Sequence, residues 1–493
     1  MSRQPAGIAM RLFYKPVSLS LYAGITVLWL ITMYMLFDRH YGGGFAAGGG
    51  MAESVSVEGL LGERWMAVYQ AGQRTGYSVS RLTKLDNGEA PGYKSFELVF
   101  MRLRLLGVEK EIRMITDAYL DNAFRVKSFI FYVESDAAMT VSGTVEGSAL
   151  NVTLDAGGVK SAQRIPLKGE PYMSLPLIPV TKKGAIRLPV IDPATLTQDV
   201  MELEVKGREP LFIMGEKVDA YRLEGSFKGA PVVMWVSEKG EPLKEESAGI
   251  TLIREAKEDA VKIARPSVDF ALEGAIPLEA QKKAADNPGY LKVRLKGMSL
   301  AGFELDGGAQ KLSGDVLEIR RMEIKGGAGK ETARLEDKEE YLTDTLFVQS
   351  KDPEIVSMAG EIVKGGRDAL SKARLIYSWV YENIKKTPTV TIPSATEVLK
   401  ARRGDCNEHT ALYTALARAA GIPTRVAVGL AYKGGYFYYH AWPEIYVNGW
   451  IPIDPTLGQF PADAGHIRLL TGDIGRQVRL MSVMGRLRIE EVE

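Results

Sequence analysis

Three side chains near the C-terminal end have the types and the order of a nucleophilic site. They are the thiol of Cys406, the imidazole of His440 and the carboxylate of Asp454. In such a site the imidazole takes the thiol proton, the carboxylate fixes the tautomer of the imidazole, and sulfur attacks an acyl carbon. Cys406 is the only cysteine in the 493 residues, and His440 is one of four histidines.

The local sequence positions each of them. Asp405 suits a helix N-cap and Glu408 follows three residues later, the spacing of a capping box, so a helix is predicted to start at Cys406. Leu412, Ala415, Leu416 and Ala419 form its expected buried stripe, and Gly421 followed by Ile422-Pro423 ends it. At the first helical position the unpaired N–H groups and the helix dipole favour a thiolate. The same N–H groups can receive an oxyanion. The plainer reading, a small buried apolar cysteine, fits a position just after a glycine turn less well.

His440 lies in YFYYHAWPEIYV, a segment of strong strand propensity. With period two, Tyr438 and Trp442 share its face and would wall a cleft. A lone strand histidine is more often a packing residue. What gives His440 a role is Asp454 at hairpin distance, which makes it the best general base. Register matters here. A two-residue turn at Asn448-Gly449 would pair Asp454 with Pro443 and put His440 and Asp454 on opposite faces. Bringing them together requires a three-residue loop or a bulge, which Pro443 and Pro452 make plausible.

His409, one turn after Cys406, and His466 are read as supporting residues. Cys406, His409, His440 and Asp454 together could suggest zinc, but one thiolate without a cysteine pair argues against it. No metal and no cofactor are expected, and no acidic loop asks for calcium.

Gly404-Asp405-Cys406, the run ALARAAGIPTRVAVGLAY, His440-Ala441-Trp442 and Trp450-Ile451-Pro452-Ile453-Asp454-Pro455-Thr456 closely resemble the transglutaminase-like superfamily of papain-fold thiol enzymes. The resemblance covers about residues 353–473. It implies an α+β papain-like domain with Cys406 as nucleophile, His440 as base and Asp454 as the orienting acid. It also implies acyl transfer on peptide or isopeptide amide bonds, by hydrolysis or by transamidation; both stay open. No side chain matches an oxyanion donor, since Trp379 and Tyr381 do not lie where that motif would place one. The layout is similar to that of bacterial members with one membrane span.

The rest of the chain anchors and presents this site. At 493 residues two or three domains are expected. With 62 basic and 61 acidic residues, the net charge of +1 gives no electrostatic footprint for nucleic acid. Val17 to Phe37 is 21 residues without a charge, roughly 31 Å as a helix. Arg3, Arg11 and Lys15 precede it without an acid, which puts residues 1–16 in the cytoplasm. A cleaved signal peptide with a site near Phe45-Ala46-Ala47 is the competing reading, but the segment is long for one. A Gly-rich linker at 38–55 then leads to an ectodomain in the periplasm or outside the cell, tethered to the bacterial inner membrane.

Period-two segments punctuated by Gly and Asn turns predict a large antiparallel β-domain at 56–262, as a curved sheet or partly open barrel. A small β-unit and linker are expected at 263–350. At 351–493 the period becomes helical and then returns to strands, as in an α+β domain. Partners follow from these readings: a protein or peptide substrate, a cell-envelope component, and the membrane through residues 17–37. In the rival reading, the thiol fold is an inactive scaffold and the chain a binding or assembly module.

Overall fold

The period-two segments assemble into one antiparallel sheet of fourteen strands between Gly62 and Arg254. A computed structural model describes residues 60–85, 91–173, 185–247, 249–280, 286–324, 335–389, 394–472, 480, 483 and 485–492. The membrane span expected at 17–37 lies outside them, as do the tail before it and the linker after it. Among the described residues no helix is long and apolar enough to cross a membrane.

The first eight strands form one meander and the last six another, joined where Gly62–Gln70 pairs with Ile250–Arg254. Alternation of buried and half-exposed residues, as in Gly92–Leu105, gives the sheet one apolar face. Tyr172, just after the first meander, donates its N–H to the Pro189 carbonyl and accepts from Ile191 N–H, on the edge strand Ala185–Asp192.

The second sheet has nine strands. Strands from residues 263–350, where a small β-unit and linker are expected, belong to it. Strands Tyr290–Lys296 and Val316–Arg320 pair with each other, and Tyr290–Lys296 also pairs with Arg488–Glu491 near the C-terminus. Ile276–Glu279 pairs with that same terminal strand and with Tyr436–Tyr446. These short strands carry too few apolar residues to close a core alone; they bury Leu291, Val293 and Ile319 by extending the C-terminal sheet. Both sheets contribute to one continuous hydrophobic cluster, from Leu103 and Phe131 to Val428 and Ile467.

Helices Pro353–Ile362, Ala369–Asn383, Ala395–Ala401 and Cys406–Ala419 gather around a second cluster. Each of the first two starts on an aspartate cap, Asp352 and Asp368, whose side chain accepts N–H groups of the first turn. The Cys406–Ala419 helix differs from the expected amphipathic one. Every residue from Cys406 to Arg418 is buried, the polar face included. It is the central helix of the domain, covered by three helices and by the sheet.

Candidate active site

The Cys406–Ala419 helix begins as its sequence dictates. The Asp405 carboxylate accepts the Asn407 N–H at 2.7 Å, and Glu408 reaches back to accept the Asp405 N–H at 2.8 Å. Gly404 precedes it in tight packing, where a Cβ would lie 2.2 Å from the Glu408 side chain. A two-residue parallel pairing of Lys385-Lys386 with Arg403-Gly404 fixes that turn. The helix closes on Gly421 at φ +79°, with Ile422 N–H bonded to the Ala417 carbonyl. Cys406 thus sits at the first helical position, and it is fully buried.

The hairpin carrying His440 and Asp454 has the register that their meeting requires. Tyr446 faces Trp450 and Glu444 faces Pro452, so the connection is the three-residue loop Val447-Asn448-Gly449. Asn448 at φ +56° and Gly449 at φ +141° supply its left-handed turn. Counting on, Asp454 falls opposite Trp442 and on the face of His440. His440 Nε2 lies 2.7 Å from Asp454 Oδ2. The other carboxylate oxygen accepts the N–H groups of Thr456 and Leu457 at 2.7 and 2.8 Å. Burial pushes the Asp454 carboxyl up, but the charge and hydrogen bonds of His440, and those of His466, outweigh it. The group is held well below the usual carboxylate range. With Nε2 donating to Asp454, the lone pair of a neutral His440 is on Nδ1, the nitrogen that can take a proton.

His466 is built into the same cluster. Its Nε2 lies 3.1 Å from Asp454 Oδ2 and its Nδ1 lies 2.9 Å from Asp463 Oδ1. The strand His466–Thr471 pairs with Thr424–Lys433, which pairs with Tyr436–Tyr446. A bulge at Val428/Gly429 sets its register, with Ala431 between His466 and Tyr438. The strands approach so closely at Gly429 that a Cβ there would lie 1.9 Å from the Ile467 carbonyl oxygen. Only glycine fits.

The aromatic neighbours are partly as expected. Trp442 stacks on His440 with centroids 6.0 Å apart, and its ring meets His466 edge-on at 5.1 Å. Both Trp442 and Tyr438 are buried. Hollows of about 470 and 1020 Å³ lie elsewhere, and neither is lined by Cys406, His440 or Asp454.

His409 is not brought into the histidine–aspartate cluster. Its Nδ1 lies 2.6 Å from the Asp405 carbonyl, and burial holds its imidazole below the ordinary value despite that bond. That bond pins the ring to the first turn of the helix. Among the described residues, the one group of three ligand-type side chains with atoms within 4.8 Å of one another is His440, Asp454 and His466. At 2.7 and 3.1 Å the facing atoms of these groups are hydrogen-bonded to one another.

Two participants escaped the sequence reading. Asp463 could have been noticed three residues before His466, but its role depends on a loop fold that pattern does not encode. Lys386 sits in the short strand beside Gly404, its Nζ 4.1 Å from the centre of the Tyr381 ring. Burial lowers its pKa while the charge of Asp454 opposes that. No periodicity marks it.

Residues 356–455 match the family model described as the transglutaminase-like superfamily. The C-terminal part of the chain is therefore a transglutaminase-like domain. A protein of Haemophilus influenzae described as "Uncharacterized protein" is 27% identical over 162 residues, covering 27% of this chain and 42% of that one. The chain thus spans less than half the length of that relative. Among solved structures, a "putative cysteine protease" from Cytophaga hutchinsonii aligns at 18% identity over 41% of this chain and 83% of that one, with a TM-score of 0.28. A beta-barrel-like protein from Brucella abortus aligns at 9% identity over 39% and 95% respectively, with a TM-score of 0.29. Superpositions at these scores carry no argument about activity.

Proposed function

We propose that the chain is a membrane-anchored thiol enzyme that transfers acyl groups from peptide or isopeptide amide bonds. The observation that carries this reading is the 2.7 Å contact of His440 Nε2 with Asp454 Oδ2, in a domain whose one thiol starts a helix. In the reaction, Cys406 Sγ attacks the carbonyl carbon and its proton passes to His440. The tetrahedral oxyanion is received by N–H groups at the helix start. His440 returns the proton to the leaving amine as the C–N bond breaks, leaving a thioester on Cys406. Water or a second amine then attacks the thioester, with His440 accepting the incoming proton and giving it to the thiol. Asp454 holds the tautomer throughout.

Burial supports a site that operates out of bulk water. Cys406 and Asp454 are inaccessible to solvent and His440 nearly so, at 1%. Substrate must therefore be admitted by movement of the surrounding side chains, and exclusion of water would favour an amine acceptor over hydrolysis.

The anchor at residues 17–37 would hold this domain at the outer face of the bacterial inner membrane. The test of activity is to offer the full chain peptide amides with and without a primary amine, scoring peptide release and amine incorporation. A Cys406→Ala variant should form neither product. Neither product from the unaltered chain, with envelope binding unchanged in Cys406→Ala, would favour the binding-module reading instead. Extraction of membranes at alkaline pH should leave the chain in the pellet; release into the supernatant would remove the anchor from the account.

A further inference from the structure

His466 faces a carboxylate on each side. Nδ1 is 2.9 Å from Asp463 Oδ1 and Nε2 is 3.1 Å from Asp454 Oδ2, with the ring buried. A neutral imidazole has one N–H and one lone pair, so against two ionised carboxylates one contact would set lone pair against lone pair. Both carboxylates act as acceptors throughout. Asp454 Oδ1 takes two backbone N–H groups. Asp463 Oδ1 takes the Gly465 N–H at 2.8 Å, and its Oδ2 takes the Gln459 amide at 2.7 Å. Neither has an oxygen placed to need a proton of its own. The arrangement is satisfied when His466 carries both protons.

We propose that His466 is a positioning residue of the thiol site: a buried imidazolium, pinned by Asp463, that holds the Asp454 carboxylate and shares its charge with His440. This rests on the thiol-enzyme reading for its consequence, though not for its geometry. Asp454 Oδ2 receives two imidazoles at once, and the two rings lie 5.8 Å apart. Asp454 and Asp463 contribute two negative charges and His466 one positive charge. One further positive charge, on His440 after it takes the thiol proton, brings the group to neutrality. His466 thus shares the Asp454 oxygen on which His440 relies, so the charge of that carboxylate is divided between two imidazoles.

The ionisable groups facing His466 are Asp454 and Asp463 from the loop and His440 from the strand beyond Thr424–Lys433. Tyr377 and Lys386 act on the cluster at longer range through Asp454. Burial alone would lower the His466 pKa, but its bonds to Asp454 and Asp463 raise it to about 10, in agreement with the geometry.

The chain has four histidines, His40, His409, His440 and His466, so nitrogen-15 labelling of histidine gives a readable spectrum of the full chain in detergent. One ring should stay protonated on both nitrogens across the interval of about pH 5 to 8 where free imidazoles titrate. That signal should vanish in His466→Gln. A neutral His466 in the unaltered chain would overturn the proposal, and this measurement needs neither a substrate nor a variant that folds. The second readout is the pH profile of Cys406 alkylation. In His466→Gln the limb of that profile at low pH should shift, because a unit charge 5.8 Å from the His440 ring is lost. His466→Lys, which restores a cation, should move it back. Rates scaled equally at every pH, with the limb unmoved, would leave His466 a packing residue and overturn the proposal. Alkylation indifferent to His440→Ala, with the doubly protonated ring still present, would sink the thiol-enzyme reading and leave the charge assignment standing.

Discussion

His440 Nε2 and Asp454 Oδ2 meet at 2.7 Å because the loop between their strands has three residues and not two. One residue fewer would turn Asp454 to the opposite face of the sheet. The pairing of base and carboxylate in this chain is therefore a property of Val447-Asn448-Gly449 as much as of the two residues themselves.

Asp454→Asn tests the carboxylate without changing its shape. The amide can still accept the Thr456 and Leu457 N–H groups, but it cannot fix the His440 tautomer as an anion does. Acyl-transfer rate should fall by on the order of 10³- to 10⁴-fold, with the circular dichroism spectrum retained. Loss of less than about tenfold would show that Asp454 does not serve His440.

Gly429→Ala tests the close approach that holds the His466 strand. A Cβ there would lie 1.9 Å from the Ile467 carbonyl oxygen, a backbone atom that cannot swing aside. Denaturant unfolding should show a loss of about 1–3 kcal/mol, the usual cost of overpacking. An unchanged midpoint would mean that the strands do not pair in this register.

Asp405 should respond in an unusual direction. Burial, and then the neighbouring charge of Glu408, raise its carboxyl well above the ordinary value, and its Oδ2 has no partner among the described residues. A raised acid weakens the fold as pH climbs past its unfolded value of about 3.9, because the folded state resists ionisation. Asp405→Asn keeps the cap to Asn407 and removes the charge. It should stabilise at neutral pH by about 1–3 kcal/mol, the gain vanishing below about pH 4. Asp405→Ala should instead cost about 1 kcal/mol through the lost cap.

These cases show what was legible in the residues. The helix start at Cys406, its capping box and its stop at Gly421 are written within a few positions of one another, and the structure has them. The hairpin was half legible: the need for an odd loop follows from counting residues, but only the fold shows Asn448 and Gly449 making it. The nine-stranded sheet was not legible. It pairs Leu278 with Ile489 and Arg294 with Glu490, contacts that no local period records. The all-round burial of the central helix was hidden for the same reason, since it takes in the polar Asn407, Thr410 and Thr414. His466 was visible as a residue, but its place between two carboxylates was not.

His466 also predicts how stability depends on pH. Its folded pKa is raised to about 10, above the unfolded value of about 6.5. The stabilisation is fully present below about 6.5 and is lost as pH rises through about 10. Melting of the unaltered chain should weaken across that window more steeply than that of His466→Gln. Parallel curves would contradict it.

The most direct test of the central claim is the rate of Cys406 alkylation against pH in the full chain, beside His440→Ala. With a single cysteine the signal belongs to one atom. A poised thiolate–imidazole pair predicts reaction persisting well below the free-thiol pKa of about 8.5, and lost or shifted without His440. A thiol that reacts only above that value, at the same rate in both proteins, would contradict a catalytic Cys406.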